Sequence, residues 1–314
     1  MDHNVNIYFA PLQGFTDYVY RNAYAECFGG VEKFFTPFLR VEDGEVRKKD
    51  AVDLTATAPT MRPSLVPQII ASSREEVYIL MQYVISQGFN CCDINFGCPF
   101  PQQTARMHGA GILAHPDKVR EVLDAAAKYE ADLKLSLKMR LGNVDKKECL
   151  AIIDIINDSP LSFVTIHPRI GKQMYKGSVD LETFADVASR LKHPVVYNGD
   201  IVDNESFRRI ATMFPNLNAV MIGRGILSNP FLPESIKTGN QIFDRKKYLN
   251  FINLLIEGYQ NHFNNSEYMT LDKMKTFWDY PLRGVDKKSV KAIQKARTLS
   301  EYVAMVAVGV NGAI

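Results

Sequence analysis

The sequence has few of the features that mark membrane, secreted or metal-stapled proteins. No apolar run approaches the roughly 18 residues that suggest a membrane-spanning helix, and the first residues lack the basic start and apolar stretch of a signal peptide. The five cysteines are odd in number and form no Cys-x-x-Cys pair, which argues against a disulfide framework and against a zinc site. We therefore expect a cytoplasmic protein with no membrane partner and no metal. We also expect a monomer, although no sequence feature addresses the oligomeric state.

The net charge is also small, but positive and negative residues are unevenly distributed along the chain. The 314 residues are 46% hydrophobic with a net charge of +2, which excludes a mainly disordered chain. Residues 237–314 carry 12 Lys and Arg against 7 Asp and Glu. A basic C-terminal part indicates either a polyanionic partner or a solvated helical face.

Short apolar runs alternate with stretches of helical periodicity. The runs, each bounded by Gly or Pro, are Ile7–Ala10, Lys33–Thr36, Leu65–Ile70, Cys92–Phe96, Leu133–Met139, Phe163–His167, Val195–Asn198 and Val220–Gly223. Helices are predicted over Arg74–Gln87, Asp117–Tyr129, Lys146–Ile156, Leu181–Leu191 and Asn204–Met213. This α/β alternation predicts a (β/α)8 TIM barrel, with a doubly wound open sheet as the alternative.

The pattern changes after Pro233. Lys237–Gln241 is polar and contains Gly239, which predicts a linker. Beyond it only helical periodicity remains, typical of a small all-α helical bundle. The sequence thus predicts a catalytic barrel domain over residues 1–236 and a helical domain over residues 242–314.

Polar and glycine-rich residues follow seven of the predicted strands. Parallel strands of a barrel open at one mouth, where reacting groups are found. Gly199, Gly223 and Arg224 fit a phosphate site after the last two strands. Gln68, Lys138 and His167 can hydrogen-bond a flat polar ring such as a flavin, whose reduced form a lysine stabilises.

Cys98 lies in the loop after the fourth strand, at this predicted mouth. It has no neighbouring base in the sequence, so its thiol should stay neutral and act as a proton donor. The other reading is a buried structural thiol. The polar segment Phe100–Gly111 that follows is predicted to be a mobile lid.

Several segments together resemble the tRNA-dihydrouridine synthases, flavin-dependent enzymes that reduce uridine in tRNA. The matching segments, in family order, are APLQGFTD at 10–17, Gln68, DINFGCP at 93–99, GAGIL at 109–113, KMRLG at 138–142, HPR at 167–169, QMYKG at 173–177, NGDI at 198–201 and MIGRGILSNP at 221–230. They cover most of the first 230 residues, and the chain resembles the bacterial DusC-like subgroup in its tail.

The resemblance implies FMN in the barrel mouth and roles for individual residues. It implies cofactor contacts from Pro11, Leu12, Gln13, Gln68, Lys138, His167, Asn198, Gly199, Asp200, Gly223 and Arg224. It implies Cys98 as the catalytic acid, with the flavin N5 delivering hydride to uracil C6 and Cys98 delivering a proton to C5. NADPH or NADH would reduce the flavin, docking briefly because no Gly-x-Gly-x-x-Gly motif is present.

The resemblance also implies contacts with a D-loop uridine of tRNA. Asn95 and Arg140 would face the uracil, while Arg283, Lys287, Lys288, Lys291 and Lys295 in the helical domain would contact phosphates. One departure is that Pro101-Gln102-Gln103 stands where many relatives have a basic pair. Two other interpretations stay open: a flavin barrel that reduces a free pyrimidine or other small molecule, and a non-catalytic tRNA-binding protein that kept the fold.

Overall fold

The computed structural model describes residues 5–313, and its centre is a parallel β-barrel. Its strands are β1 (Asn6–Phe9), β2 (Lys33–Phe35), β3 (Val41–Glu42), β4 (Glu45–Val46), β5 (Leu65–Val66), β6 (Gln68–Ile69), β7 (Cys91–Phe96), β8 (Lys134–Gly142), β9 (Leu161–Ile170), β10 (Val195–Tyr197) and β11 (Ala219–Ile222). Nine of them form one sheet in the order β5-β2-β1-β11-β10-β9-β8-β7-β6. The short strands β3 and β4, which the sequence did not predict, pair as an antiparallel hairpin.

The third predicted strand is broken, and the break completes the barrel. Pro67 separates β5, which pairs with β2, from β6, which pairs with β7. Proline has no N–H to donate to a ladder, but its carbonyl accepts from the Asp93 backbone N–H at 2.8 Å. The two ends of the sheet are thus consecutive halves of one interrupted strand. The predicted (β/α)8 TIM barrel is confirmed, since β5 and β6 together take the place of one strand. The prediction of an unbroken strand over Leu65–Ile70 is wrong.

Helices surround the barrel and form the C-terminal part. They are α1 (Tyr18–Cys27), α2 (Lys48–Thr55), α3 (Arg74–Ser86), α4 (Pro101–Thr104), α5 (Pro116–Ala127), α6 (Lys147–Leu150), α7 (Ile153–Asn157), α8 (Leu181–Arg190), α9 (Asn204–Met213), α10 (Arg224–Ser228), α11 (Leu232–Thr238), α12 (Arg245–His262), α13 (Glu267–Thr276), α14 (Lys287–Lys295) and α15 (Leu299–Gly309). Short 3-10 turns cover Pro59–Ser64, Gly109–Ala114, Gly171–Gln173, Phe277–Asp279 and Val310–Gly312.

Two predicted helix boundaries differ from the structure. The predicted helix Lys146–Ile156 is interrupted between α6 and α7, within a stretch rich in isoleucine, whose β-branched side chain lowers helix propensity. The predicted linker Lys237–Gln241 is partly helical, because α11 continues to Thr238. That helix ends at Gly239, whose φ of +73° suits the left-handed residue that terminates many helices.

The C-terminal helices pack directly against the barrel. Phe251 of α12 contacts the Tyr20 ring of α1, and both belong to the core cluster that also contains barrel strands. The Tyr259 hydroxyl donates to Asp17 Oδ1 at 2.7 Å. Trp278 is buried and donates to the Tyr302 hydroxyl, so it serves in packing. The division into two domains remains a prediction.

Candidate active site

One pocket at the mouth of the barrel gathers the residues that the sequence singled out. It is lined by Pro11, Leu12, Gln13, Gln68, Asn95, Cys98, Lys138, Arg140, His167, Asn198, Gly199, Asp200, Gly223 and Arg224, all from the predicted catalytic, cofactor and uracil sets. They come from segments far apart in the chain. They converge because all strands of a parallel barrel present their C-terminal ends at the same rim.

Lys138 has no partner of its own in the described chain. It lies on β8 opposite Asn95 of β7 and lines the pocket, yet it makes no hydrogen bond or ion pair with residues 5–313. Burial, assisted by the nearby Arg140 charge, lowers the pKa of Lys138 from 10.5 to about 8. A lysine in this state can serve a ligand by donating hydrogen bonds or by balancing negative charge.

His167 is held as a neutral imidazole. Its Nε2 lies 3.2 Å from Nη1 of Arg169, and because a guanidinium only donates, Nε2 must be the acceptor. Burial first, and then the charges of Arg140, Lys138 and Arg169, lower the pKa of His167 well below 6.5. The proton therefore resides on Nδ1, which makes His167 a neutral hydrogen-bond donor for a ligand.

Cys98 presents a buried, neutral thiol. Its side chain is 7% exposed and packs with Phe38 and Ile70 at the edge of the pocket. Burial raises the pKa of the Cys98 thiol above its usual value, although the Phe100 backbone N–H and the Arg140 charge oppose the shift. The protonated form thus dominates at neutral pH, as a proton donor requires.

The backbone around Cys98 is fixed from both sides. The Cys98 N–H donates to Asn95 Oδ1 at 2.8 Å, and the Cys98 carbonyl accepts from the Ala110 N–H at 2.9 Å. A Cβ on Gly109, whose φ is +58°, would lie 2.6–2.9 Å from atoms of Cys98. Glycine at 109 is what allows this close approach.

Asn95 and Arg140 line the pocket, but most of their polar atoms already have protein partners. Asn95 Oδ1 accepts from the backbone N–H groups of Gly97 and Cys98. Arg140 donates from Nε to the Gly97 carbonyl at 2.9 Å and from Nη1 to the Met174 carbonyl at 2.8 Å. Their first role is to hold the loops of the mouth, which leaves one amide hydrogen of Asn95 and Nη2 of Arg140 for a substrate.

The predicted phosphate end of the pocket is built from an acid, two arginines and two glycines. Asp200 accepts from both Nη atoms of Arg169 and from Arg224 Nη2 at 2.9 Å. Its carboxylate therefore orients two cations, and Asp200 also lines the pocket, so the direct ligand contact expected from the sequence stays a prediction. A Cβ on Gly199 would lie 2.9 Å from Val179 Cγ1, and one on Gly223 would lie 3.3 Å from Ala10 Cβ.

Sequence reasoning missed several polar and aromatic residues of the site. Tyr175 lines the pocket, with the guanidinium carbons of Arg140 and Arg224 at 5.5 Å and 4.9 Å from its ring centre. Arg169 is 2% exposed and Asp93 is fully buried beneath the mouth. All three lie within the segments QMYKG, HPR and DINFGCP, which carry the family resemblance, so the sequence could have marked them as candidates. The side chains that they contact are known only from the fold.

The segment Phe100–Gly111 has a defined fold, and its role as a mobile lid stays a prediction. Pro101–Thr104 is helical, and His108 Nε2 lies 2.9 Å from Glu76 Oε2 of α3. A Cβ on Gly111 would lie 2.5 Å from the Thr104 carbonyl oxygen, so the segment folds back tightly on itself. Phe100 remains 44% exposed at the rim of the pocket.

The predicted phosphate contacts fall into two groups. Lys287, Lys288, Lys291 and Lys295 of α14 are exposed and make no ion pair with the described residues. Arg283, by contrast, donates from Nη1 to Asp203 Oδ2 at 2.7 Å and so links the C-terminal part to the barrel. The lysines form a free cationic surface, whereas Arg283 is partly neutralised.

Residues 5–313 contain neither a metal-binding cluster nor a helix that could span a membrane. No group of three or more His, Cys, Asp or Glu side chains is arranged to hold a metal ion. No helix in the same range is both long and apolar enough to cross a membrane.

Solved structures with a similar fold are oxidoreductases of low sequence identity. Morphinone reductase in complex with tetrahydroNAD aligns with a TM-score of 0.53 and 11% identity, covering 77% of this chain and 90% of that one. Histamine dehydrogenase from Rhizobium sp. 4-9 aligns with a TM-score of 0.54 and 12% identity, covering 79% of this chain and 49% of that one. At such identity the likeness establishes the barrel fold alone.

Sequence relatives are closer. The probable tRNA-dihydrouridine synthase 2 of Bacillus subtilis is 30% identical over 233 residues, covering 71% of this chain and 69% of that protein. The tRNA-dihydrouridine synthase B of Pasteurella multocida is 32% identical over 166 residues, covering 52% of this chain but only about half, 49%, of that protein. The family model described as dihydrouridine synthase (Dus) matches residues 8–305, from β1 into α15. The chain therefore belongs to the dihydrouridine synthase family.

Proposed function

We propose that this protein reduces a D-loop uridine of tRNA to 5,6-dihydrouridine, using FMN in the mouth pocket and NADPH or NADH as the source of electrons. The observation that carries the proposal is the meeting of Cys98, Lys138 and His167 in one pocket, in the protonation states that the reaction needs. Family membership and the names of the relatives support the substrate.

The pocket residues suit FMN on chemical grounds. Lys138 has no protein acceptor and His167 Nδ1 is a neutral donor, so both can bond the polar edge of the flavin ring. Arg224 and the backbone at Gly199 and Gly223 suit the phosphate and ribityl chain, with Asp200 orienting Arg224. When bound, FMN supplies the hydride that adds to C6 of the uracil.

Cys98 completes the reduction by proton transfer. Its S–H bond breaks as a C–H bond forms at C5 of the uracil, so the C5=C6 double bond gains one hydride and one proton. The resulting thiolate lies near the Arg140 and Lys138 charges, which lower its energy, and it regains a proton from solvent. Cys98 and the flavin-binding groups therefore have separate roles in one reaction.

The depth of the site requires the uridine to leave its stack. Cys98 is 7% exposed, and C5 and C6 of a stacked base are not accessible to it. Asn95 and Arg140 keep donors that have no partner among the described residues, and in this proposal these donors bond the uracil carbonyl oxygens, where charge develops during hydride addition. The lysines of α14 hold the phosphate backbone outside the pocket.

The test is a product assay on tRNA from cells that lack dihydrouridine. The protein, FMN and NADPH are incubated with this tRNA, and dihydrouridine is quantified and mapped by nucleoside mass spectrometry. We expect product at one D-loop position. A yellow protein that oxidises NADPH but converts only free pyrimidines would contradict the proposal in favour of a small-molecule reductase. A colourless protein that binds tRNA without turnover would favour a binding-only role.

A further inference from the structure

A chain of hydrogen bonds runs beneath the pocket from β8 to the backbone of Cys98. Ser136 Oγ donates to Asp93 Oδ1 at 2.6 Å, and Gln68 Nε2 donates to Asp93 Oδ2 at 2.7 Å. Asn95 Nδ2 donates to Gln68 Oε1 at 2.7 Å. Asn95 Oδ1 then accepts from the N–H groups of Gly97 and Cys98 at 2.9 Å and 2.8 Å.

The direction of the hydrogen bonds through Asn95, Gln68 and Asp93 follows from the backbone N–H groups of Gly97 and Cys98. Backbone N–H groups only donate, so the Asn95 atom that they meet must be oxygen, and its nitrogen must face Gln68. The Gln68 atom facing Asn95 must then be oxygen, which turns its nitrogen toward Asp93. Only an acceptor at position 93 is compatible with this order.

We infer that Asp93 is a positioning residue, which fixes the amides of Gln68 and Asn95 and thereby holds the Cys98 loop in its reactive place. The inference rests on the proposed role of Cys98 as the proton donor. Asp93 is fully buried and reaches neither the pocket nor the substrate, so it acts only through its partners. The residue has no role in the flavin and uracil contacts discussed above.

The environment of Asp93 supports a functional reason for its presence. Burial raises the pKa of Asp93 to about 6, although the bonds from Ser136 and Gln68 and the Lys138 charge oppose the shift. A buried carboxylate is unfavourable for folding at neutral pH. A neutral side chain would fill the barrel interior at less cost, whereas a carboxylate accepts from both neighbours whichever of its two oxygens faces each of them.

The inference predicts an unusual pattern among three variants. In Asp93→Asn, the new amide oxygen can still face Gln68 if the amide nitrogen donates to the Ser136 oxygen, so the chain keeps its direction. In Ser136→Ala, Asp93 still accepts from Gln68. In the double variant, the amide nitrogen introduced at position 93 loses its acceptor, and turning the amide would set that nitrogen against the nitrogen of Gln68. Each single change should be tolerated, while the combination should release the Cys98 loop.

The experiment measures the alkylation rate of Cys98 in the full-length native protein, by peptide mass spectrometry, without tRNA. The single variants should stay within about threefold of the parent, and the double variant should react about tenfold faster, as expected for the loss of one buried hydrogen bond. Circular dichroism confirms that all four proteins are folded. Additive effects, or a tenfold change in Asp93→Asn alone, would overturn the inference.

A turnover assay on the same proteins separates this inference from the proposed function. The double variant should lose kcat with little change in KM for tRNA, because the loop that carries the acid has moved while the RNA surface has not. If the parent protein makes no dihydrouridine, the proposed function fails, but the alkylation pattern still tests the positioning role. If the parent is active and the alkylation rates are all equal, only the positioning role fails.

Discussion

The mouth pocket and helix α14 both carry cationic and polar side chains, but they differ in how those side chains are held. In the pocket, Arg140 and Asn95 are bonded to backbone atoms and Asp200 is shared by two arginines. On α14 the four lysines are exposed and make no ion pair with the described residues. Fixed groups suit a reaction that needs accurate placement, and free charges suit a long polyanion.

The largest expected effect comes from removing the acid of the pocket. Cys98→Ala should lower the rate of dihydrouridine formation about 10²–10⁴-fold, because a positioned proton donor is lost. Flavin content, measured from the visible spectrum, and tRNA affinity should stay unchanged. Cys149→Ala, at a buried thiol outside the pocket, is the matched control and should remain active. Normal turnover in Cys98→Ala would contradict the assignment.

The charge of Lys138 should give the reaction an alkaline limit. Since burial lowers the pKa of Lys138 from 10.5 to about 8, its ammonium is present below pH 8 and is lost as the pH rises. Activity should then fall about tenfold per pH unit above 8. Lys138→Arg keeps its charge throughout this range, so its profile should be flat there, at a lower overall rate. An unchanged alkaline limb in Lys138→Arg would assign it to another group.

Neutralising α14 should change binding without changing chemistry. In the variant with Lys287, Lys288, Lys291 and Lys295 replaced by Gln, the slope of log affinity for tRNA against log salt should decrease by about 3 if each lysine meets a phosphate. The control replaces three exposed lysines of the barrel part, Lys128, Lys134 and Lys192, by Gln. Equal slopes in both variants would remove α14 from the RNA surface.

The contact between α13 of the C-terminal part and the pocket-lining segment should give a smaller effect. Lys273 Nζ donates to the Gly14 carbonyl at 2.6 Å and pairs with Asp17 at 3.3 Å, so α13 holds the segment that lines the pocket at Pro11–Gln13. Lys273→Met should reduce the free energy of unfolding by about 1–2 kcal/mol and lower kcat a few-fold. A loss of tRNA affinity with unchanged stability would instead place Lys273 on the RNA surface.

The smallest effect is expected at Arg283. Because it already pairs with Asp203 near the surface, Arg283→Gln should change stability by about 0–1 kcal/mol. Its effect on the salt slope of tRNA binding should be smaller than that of any single lysine of α14. A larger change in slope would mean that Arg283 leaves Asp203 for a phosphate when tRNA binds.

Much of the site could be predicted from sequence, because the C-terminal ends of all strands in a parallel barrel lie at the same face. Once the runs ending near Gln68, Lys138 and His167 were assigned to parallel strands, their meeting at one mouth followed from topology. The four lysines expected to contact phosphates likewise lie exposed on α14.

The remaining features depend on pairings that no local pattern encodes. The sequence did not show that Asp200 pairs with Arg169 and Arg224, because the three residues lie on separate segments that only the fold brings together. The polar composition of the segment after Cys98 likewise gave no sign of the contact between His108 and Glu76, which joins that segment to α3. The break at Pro67 and the hydrogen-bond chain through Asp93 also depend on how separate strands pair in the sheet. Neither can be read from one local segment of the sequence.

The central claim is that the pocket performs the reaction while α14 supplies the RNA affinity. The most direct test measures, for Cys98→Ala and for the quadruple Lys→Gln variant of α14, both tRNA affinity and the rate of dihydrouridine formation at saturating tRNA. The account predicts that Cys98→Ala keeps its affinity and loses the rate, while the α14 variant loses affinity and keeps the rate. Loss of both properties together in either folded variant would contradict it.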